Sequence, residues 1–526
     1  MIGLTACTLN PPYQRPEMDI PKAYKEPISW TSIKPFKTSE DSKHWWFVYQ
    51  DPELNSLEEK LTVSNQNLKA AFARYVQARE LANVARASFF PQVNGSATGD
   101  RIKVSSTTAN PMPISQFNDF LLGSTLSYEL DVWGRVRNLV AAADDRAKAS
   151  AEDLAALNLS LHAELATNYF ALRGNDENQR VLDETVRMYK KAFLLLRNRY
   201  QGGASPPLDM DLAETQLKTA ETLATNLRLQ RAQLEHAIAV LIGESPSNFS
   251  ISLERNGMKA VSIDPNVPSI LLERRPDILA AEQRMKAANA DIGVAKAAFF
   301  PTISLDGLLG FESRSLAKLI QMPSLFWSIG PLATMTLFDG GRIAAFVRAA
   351  DASYFEAIAN YRQTVLIAFQ EVEDSLIAIH RLNQEMASQQ AAVKAANRAL
   401  HHALKRLEGG LITYLDVVVV QTIALQAELA NINIRTQRQI ASVQLIKAIG
   451  CIFPTGLRSQ NHGEPSHPHR WYSFLSRGQL LSPKSVDSDI EQHLALGNGQ
   501  LFYHTPPVAT DALHLPLLNP SVRNSR

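Results

Sequence analysis

The segments Ala87-Ser88-Phe89-Phe90-Pro91 and Ala297-Ala298-Phe299-Phe300-Pro301 are two copies of one landmark, and the duplication to which they belong decides the fold. Gly202-Gly203 returns in the same order as Gly409-Gly410, so the offset stays near 207 to 210 residues. An internal repeat of this length sets the architecture of a protein. Each copy is predicted to form a helix, two strands, a very long helix and a further helix.

The repeat divides the chain into four predicted segments. They are a lipid-anchor motif and extended tether at 1–50, a first repeat at 51–250 with a β-hairpin at about 92–130, a second repeat at 251–450 with a β-hairpin at about 302–338, and an atypical tail at 451–526. The tail holds half of the twelve histidines, is rich in Pro and Ser and lacks periodicity, which predicts no packed structure. A frameshift or a read-through would produce such an abrupt change.

Each repeat is predicted to open with a helix that has proline in its first turn. Pro52 follows Asp51, and Pro276 precedes Asp277, both of which are start signals. Because no Pro or Gly follows until Pro91, we expect the first of these helices to run unbroken to about Ser88.

Two strands are expected in each repeat because apolar residues alternate with polar or small ones, for example from Phe120 to Glu129 and from Ile303 to Phe311. Two interpretations are open: tilted strands that cross a membrane, or a soluble hairpin with one wet side. Pro331, in the last strand, indicates a sheet edge or a bulge.

The longest helices follow the strands. One is expected to start at Gly134, to be broken only at Gly174 and to end at Gln201, which is about 100 Å at 1.5 Å per residue. Residues 342–408 contain neither Pro nor Gly, and their apolar residues recur at threes and fours, which is typical of a coiled coil. The glycine pairs predict tight turns into antiparallel return helices. These return helices are expected at 208–242 and 411–449.

Composition argues against several classes of function. Lys and Arg number 53 and Asp and Glu 52, so a nucleic-acid partner is not indicated. Cys7 and Cys451 lie at opposite ends of the chain and suggest neither a disulfide framework nor a metal cage. His401 and His402 point about 100° apart on a helix, so they do not suggest a metal pair. No phosphate-binding loop and no catalytic metal motif occurs, and we predict no enzyme, metal or cofactor.

The number of predicted strands limits how one chain could enter a membrane. One chain offers four candidate strands, whereas membrane barrels contain eight or more. An open sheet would leave backbone groups unpaired in lipid. If the strands enter a membrane, several chains must therefore pool them, and the long helices then continue as an all-helical barrel. No stretch of 18 or more apolar residues occurs in the chain.

The N-terminus contains Leu4-Thr5-Ala6-Cys7, which resembles a bacterial lipobox and implies a covalent lipid on Cys7 in the native exported form. Three residues precede Leu4, so most of a signal peptide is missing; a chance match is the alternative. Thr8 follows the cysteine, and by resemblance to bacterial lipoproteins the absence of Asp there favours the outer membrane. The polar segment from Asn10 to Pro35 is expected to be an extended tether.

Several motifs together resemble the outer membrane factor (TolC-like) family, more narrowly the NodT-type lipoproteins of tripartite efflux pumps. They are Leu130-Asp131-Val132-Trp133-Gly134, the string Val267–Ile278, the repeated Phe-Phe-Pro, and Gly-Gly-x-x-x-Tyr-Leu-Asp ending at Asp416. The resemblance covers about Cys7 to Gly450. It implies a mainly α fold with a small membrane β-barrel portion: a homotrimer whose 12-stranded barrel continues into a periplasmic α-helical barrel.

The same resemblance implies a passive exit duct for small molecules and drugs at the bacterial outer membrane. The implied partners are outer membrane lipid, a periplasmic adaptor (membrane fusion) protein and an inner-membrane transporter. Two alternatives stay open. They are a type I protein secretion duct, which the lipobox disfavours, and a soluble periplasmic coiled-coil scaffold or adaptor.

The resemblance also assigns residues. Asp416, with Leu415 and Tyr414, matches the family's periplasmic gate, and a ring of carboxylates favours cations. Val419 stands where many relatives carry a second Asp, so one ring would replace two. The alternative is that Asp416 only caps its helix; its counterpart Asp209 is expected to be structural. The adaptor-docking turns are expected at Gly202, Gly203, Gly409 and Gly410, which also suit simple turn chemistry.

Overall fold

The structure is a computed structural model that describes residues 9–21, 23–25, 44–105, 107, 109, 116–253 and 274–450. Helices dominate the described residues. The helices are α1 (Pro52–Ser64), α2 (Gln66–Ala87), α3 (Arg135–Gln201), α4 (Pro207–Leu241), α5 (Pro276–Ala297), α6 (Arg342–Glu408) and α7 (Tyr414–Ala448). The strands are β1 (Gln92–Lys103), β2 (Gln116–Leu130), β3 (Thr302–Ser313) and β4 (Leu325–Thr334).

The predicted duplication is visible in the lengths of the elements. Helices α2 and α5 each have 22 residues, α3 and α6 each have 67, and α4 and α7 each have 35. Strands β1 and β3 each have 12 residues. The order of helix, two strands, long helix and return helix therefore occurs twice, as the sequence predicts.

Three helix boundaries differ from the sequence prediction. The first helix is broken at Asn65, whose side chain accepts a hydrogen bond from Leu68 N and caps α2. Helix α3 runs unbroken through Gly174. Helix α7 starts at Tyr414 instead of Leu411, because Thr413 is its N-cap. Local capping by Asn and Thr decides the first and the third of these boundaries.

Helices α3 and α7 approach each other closely at Gly174. A Cβ atom at this position would lie 2.1 Å from Thr436 Oγ1. Only a residue without a side chain allows this contact. Nearby, Asn178 Nδ2 donates to Asn433 Oδ1 at 3.0 Å, and Arg435 pairs with Glu177. The two repeats thus touch through a polar layer at this level.

In each repeat, one hydrogen bond joins the start of a short helix (α2 or α5) to the end of the return helix (α4 or α7). In the first repeat, Asn65 Nδ2 donates to the carbonyl of Leu241, the last residue of α4, at 2.7 Å. In the second repeat, Arg275 Nη1 donates to the carbonyl of Ala448, the last residue of α7, at 3.0 Å. Arg275 is also paired with Glu371 on α6. We call these two contacts the repeat clamps.

The four strands form one antiparallel sheet in the order β1-β2-β3-β4. The register pairs Leu126 with Gly307 in the centre and Pro331 with Leu305 near one end. Pro331 lies on β4, which is an edge strand within this chain, as the sequence indicates. Strand β4 ends at Thr334, four residues before the predicted Phe338. Strands β1 and β4 each have one unpaired edge in the described chain.

One described helix, α7, is long and apolar enough to cross a membrane when judged by length and composition alone. Core helices of soluble proteins pass the same criterion. Helix α7 packs along α6 and α3, where Val417, Ile432 and Val443 are fully buried. We therefore describe it as a helix of the helical layer.

The largest apolar core lies where α1, α3, α6 and α7 meet the short 3-10 helix Trp45–Tyr49. Within it, Glu58 Oε2 and His162 Nδ1 lie 2.5 Å apart and both side chains are buried. The ring of Trp46 stacks on His162 at 4.6 Å. Burial raises the pKa of Glu58 well above 4.5, and burial followed by the charge of His44 lowers the pKa of His162 to about 3. The pair therefore holds one proton, on Glu58.

This pair predicts a dependence of stability on pH. At a pH above 6.5 the unfolded chain has lost the protons of both groups, so stability falls as pH rises, by up to about 1.4 kcal/mol per pH unit, until pH passes the raised folded pKa of Glu58. Between 4.5 and 6.5 the opposite contributions of Glu58 and His162 cancel, and below 4.5 the depressed pKa of His162 makes stability fall as pH falls.

The measurement is the apparent Tm of wild type and Glu58→Gln in detergent from pH 6.5 to 8.5. Gln cannot hold the proton, so we expect the advantage of wild type to shrink steadily over this range. A difference in Tm that does not change with pH would contradict the assignment of the proton.

Candidate functional site

The tip of the molecule consists of the two glycine turns. Gly203 and Gly410 have φ of 71° and 72°, the left-handed region that favours glycine. The N–H of Ala204 donates to the carbonyl of Arg199 at 2.8 Å, and that of Leu411 to the carbonyl of Arg406 at 2.9 Å. Both helices thus end in the same glycine-closed turn. Nothing lies within 4 Å of a Cβ built on Gly203 or Gly410, so the turns are open to solvent in the described chain.

Asp416 lies on the first turn of α7 and caps it. Its carboxylate accepts hydrogen bonds from Thr413 N at 3.0 Å and Thr413 Oγ1 at 2.8 Å. These bonds, followed by the charge of Arg406, lower the pKa of Asp416. The side chain is exposed, and Thr413 also binds the N3 backbone, which completes a capping box. Asp416 therefore caps its helix, which is the alternative to a gate that the sequence leaves open. Its exposed carboxylate stays charged at neutral pH.

Tyr414 connects the two repeats at the tip. It is 5% exposed and packs against Leu196 of α3 and Ala213 of α4, which belong to the first repeat. Burial raises the pKa of its phenol to about 12, and the neighbouring Tyr189 and Asp209 act in the same direction. Within the described chain its hydroxyl has no hydrogen-bond partner. Leu415, by contrast, points away from this contact and is 48% exposed.

Asp209, the counterpart of Asp416, has a different partner. Its carboxylate accepts a hydrogen bond from Ser205 Oγ at 3.1 Å. The N-cap of α4 is Pro206, which has no side-chain hydrogen bond. The two turns therefore differ in their side chains although their backbones agree.

The sheet has two chemically different faces. The register places the alternate residues of neighbouring strands on a common face. One face is apolar and includes Val93, Leu122, Leu126, Leu305 and Trp327. The other face is mostly polar and includes Asn94, Thr98, Asp119, Thr125 and Asp306. This pattern is typical of a sheet with lipid on one side and water on the other.

The junction between the sheet and the long helices uses the repeated motifs. Trp133 Nε1 donates to the carbonyl of Pro301 at 2.8 Å, and its ring stacks on Phe300. Asp131 accepts a hydrogen bond from Val136 N at 2.9 Å, and Asp339 accepts one from Ile343 N at 2.8 Å. Trp133 of the first repeat thus contacts the Phe-Phe-Pro segment of the second repeat.

The N-terminal segment 9–25 lies against the second repeat. Tyr13 and Arg15 both bind Glu282 on α5, and Lys25 N donates to Glu373 on α6 at 2.8 Å. Pro11 accepts a hydrogen bond from Asn289 at 3.0 Å. From Arg15 towards Pro11 the segment thus runs along α5 towards the C-terminal end of that helix. The sequence predicts an extended tether here, and the predicted lipid site Cys7 lies outside the described residues.

The described part of the chain contains no candidate metal site. No group of three or more His, Cys, Asp or Glu side chains is close enough together there to hold a metal ion. His401 and His402 are both exposed, with ring centroids 6.0 Å apart.

Comparison with known proteins gives one consistent family. The sequence profile of the outer membrane efflux protein family matches residues 57–244 and 267–451. The outer membrane protein OprJ of Pseudomonas aeruginosa is 33% identical over 455 residues, which is 86% of this chain and 94% of OprJ. The cation efflux system protein CusC of Escherichia coli strain K12 is 26% identical over 453 residues, 85% of this chain and 97% of CusC.

Solved structures agree with these matches. The CmeC outer membrane channel of Campylobacter jejuni superposes with a TM-score of 0.82 at 28% identity, over 91% of this chain and all of CmeC. The outer-membrane channel OprN superposes with a TM-score of 0.77 at 29% identity, over 85% of this chain and all of OprN.

The burial of Tyr414 predicts a graded effect of substitution. Tyr414→Ala removes an aromatic ring from between the two hairpins and should weaken the tip by about 3 kcal/mol or more. Tyr414→Phe should cost almost nothing, since the hydroxyl has no partner in the described chain.

The measurement is the rate of limited proteolysis at the two glycine turns. We expect Tyr414→Ala to be cut faster than wild type, while Leu415→Ala, at an exposed neighbouring position, serves as the matched control. Equal cleavage of Tyr414→Ala and Leu415→Ala would show that the burial of Tyr414 does not hold the hairpins together.

Proposed function

Because the chain belongs to the outer membrane efflux protein family, we propose that three copies of it build the exit duct of an efflux pump at the outer membrane. Small molecules would pass through this duct passively from the periplasm to the outside. The observation that carries the proposal is the four-stranded sheet with two unpaired edges and one apolar face.

The sheet supports the trimer on physical grounds. Backbone groups cannot stay unpaired in lipid, so β1 of one copy must meet β4 of another. Three copies supply twelve strands, an even number within the range of membrane barrels. The apolar face with Leu126, Leu305 and Trp327 then contacts lipid, and the polar face with Asp119, Thr125 and Asp306 lines a water-filled lumen.

The length of the helices supports the proposed passage through the periplasm. Helices α3 and α6 are each about 100 Å long at 1.5 Å per residue, far longer than the sheet. They extend the lumen as a helical tunnel into the periplasm. The glycine turns lie at the far end of this tunnel, where a periplasmic adaptor would dock and connect the duct to an inner-membrane transporter.

The substrate follows from the relatives only as a class. The names of relatives mention cations for CusC and antibiotics for ArpC of Pseudomonas putida. For this chain we propose small molecules or drugs. A type I protein secretion duct and a soluble scaffold are the competing functions; a soluble scaffold would leave the apolar sheet face in water, which is costly for so large a patch.

The decisive experiment purifies the membrane-extracted protein and measures its size and conductance. The duct requires detergent for extraction, has the mass of a trimer and conducts ions in planar bilayers once it is opened. Extraction without detergent, or a monomer that does not conduct, would overturn the proposal.

We propose that Asp416, with Leu415 and Tyr414 beside it, forms the periplasmic gate. The carboxylate is exposed, charged and held in place by Thr413. Three copies would place three such carboxylates around the tunnel, which favours cations over anions. Its capping of α7 is compatible with this role because the bonds with Thr413 orient the carboxylate.

The gate predicts that Asp416→Ala reduces cation selectivity in planar bilayers, because the ring of negative charge is lost. Asp209→Ala, the counterpart in the first repeat, should leave selectivity near that of wild type. Since both variants remove a carboxylate at the start of a return helix, stability alone does not distinguish them. Unchanged conductance and selectivity in Asp416→Ala would remove Asp416 from the gate.

The covalent lipid on Cys7 is also a proposal, supported by the path of segment 9–25. A Cβ atom built on Gly293 of α5 would lie 2.9 Å from Asn10 Cβ. Helix α5 ends four residues later at Ala297, and β3 begins at Thr302. Three residues span at most about 10 Å, so Cys7 is within reach of the level at which the sheet enters the membrane.

Labelling of the native gene product with a palmitate analogue checks this. We expect label on wild type and on Cys451→Ser, and none on Cys7→Ser. Absence of label on the wild-type protein would disprove lipidation, while the contacts of segment 9–25 with α5 would remain.

A further inference from the structure

The sheet has one end near the helices and one end far from them. Strand β1 follows α2 at Gln92 and ends at Lys103, and β2 begins at Gln116 and runs back to α3. The end of the sheet that contains Lys103 and Gln116 is therefore the far end. In the proposed duct the helices extend into the periplasm, so this far end lies at the outer surface of the membrane. This orientation rests on the proposed function.

Charged residues are sorted between the two faces of the sheet, since alternate residues of a strand point to opposite faces. On the apolar face, which carries Leu126 and Trp327, Arg101 and Lys103 are the only charged residues of the four described strands. The charged residues of these strands on the other face are all acidic, namely Asp100, Asp119, Glu129, Asp306 and Glu312. Neither Arg101 nor Lys103 therefore has a carboxylate beside it on its own face of these strands.

The two basic residues lie just beyond the apolar band of the sheet. On β2 this band runs from Leu130 to Phe120, which is about 34 Å of strand. At the tilt of about 40° that is usual in membrane barrels, the band is about 26 Å high, close to the outward apolar band of about 25 Å in such barrels. Phe120 is paired with Gly99, so Arg101 stands two residues farther out on the same face.

Arg101 and Lys103 have amide side chains as neighbours. Across the register Arg101 is paired with Asn118 and Lys103 with Gln116, and all four residues are exposed. A guanidinium group can donate two parallel hydrogen bonds to a phosphate, and ammonium and amide groups donate as well. Four donor side chains, two of them cationic and none anionic, thus share the outer end of the apolar face. We call these four residues the donor rim.

An aromatic ring separates the donor rim from the apolar band. A Cβ atom built on Gly99 would lie 3.2 Å from Phe120 Cδ1, so the ring of Phe120 covers β1 directly below Arg101. Aromatic rings are enriched at the level of the headgroups in membrane proteins. The donor rim therefore lies at the level of the headgroups, where a positive charge on the lipid face costs little.

We propose that the donor rim binds the phosphate groups of lipid A, the phosphorylated glycolipid of the outer leaflet. The charge of the site is complementary to phosphate. The occupant is a lipid and not a free ion, because the site is continuous with the apolar face, on which the acyl chains of the same molecule would lie. Each copy of the chain supplies one such site on the outside of the barrel.

Native mass spectrometry of the detergent-extracted trimer tests the site. Wild type and the double variant Arg101→Gln, Lys103→Gln are titrated with lipid A that carries both of its phosphates. We expect the double variant to bind about thirtyfold more weakly, because each basic residue near an anionic lipid surface contributes about fivefold. Lys103→Arg keeps the charge and should bind at least as tightly as wild type.

The matched control is the double variant Lys394→Gln, Arg398→Gln, which removes the same two charges from exposed positions on α6 outside the sheet. It should bind lipid A like wild type. Equal weakening in both double variants would show that only the net charge of the protein matters and would overturn the site.

Two further probes identify the occupant. Lipid A from which both phosphates have been removed should bind wild type no better than it binds the variant without Arg101 and Lys103. Equal binding of the two lipids to wild type would overturn the recognition of phosphate. Inorganic phosphate in large excess should not displace lipid A, and displacement would assign the site to a free anion and overturn the lipid.

The outcomes separate the lipid site from the duct. Equal affinity of wild type and the variant without Arg101 and Lys103 for lipid A, in a trimer that conducts, would overturn the lipid site and leave the duct intact. Weaker binding by that variant, in trimers that never conduct, would establish the lipid site and refute the exit duct. Release of the protein without detergent would refute both, because the donor rim would then face water.

Discussion

The open edges of a four-stranded sheet are the constraint on which the rest of the structure depends. Strands β1 and β4 each present a row of backbone N–H and C=O groups that the described chain leaves unpaired. In lipid these groups need partners, and the sheet is apolar on one face. Near the glycine turns the helical layer also has two free lateral sides, on α4 and α6, because α3 packs between α4 and α7 and α7 packs on α6. The sheet and the helical layer therefore both need further copies of the chain to close into a barrel, and they need them at the same two sides.

The two repeats share the same contact at equivalent places, although different residues make it. Each repeat is closed by a side chain that binds the last carbonyl of its return helix, but the side chain is Asn65 in one repeat and Arg275 in the other. Gly243 and Gly450 follow these helices with positive φ, and a Cβ atom on either would approach the clamp region within 3 Å. The return helices that end at these clamps, α4 and α7, have 35 residues each, which is about 52 Å at 1.5 Å per residue.

The two repeats differ in the side chains at the tip of the molecule. At the tip, Tyr414 of the second repeat is buried against α3 and α4 of the first, while Asp416 stays exposed and bound to Thr413. In the first repeat, the counterpart Asp209 accepts its hydrogen bond from Ser205.

The sequence by itself determined the repeat, the alternation of the strands and the ends of the long helices, because periodicity and Pro or Gly act locally. It also determined that one chain is incomplete, since four strands cannot close. Only the tertiary structure decided the close crossing at Gly174 and the pairing of Glu58 with His162, which is 104 residues away. It alone also decided that Tyr414 is buried while Leu415 is exposed. These features depend on which helices become neighbours, and burial and contact across the fold leave no local signal in the sequence.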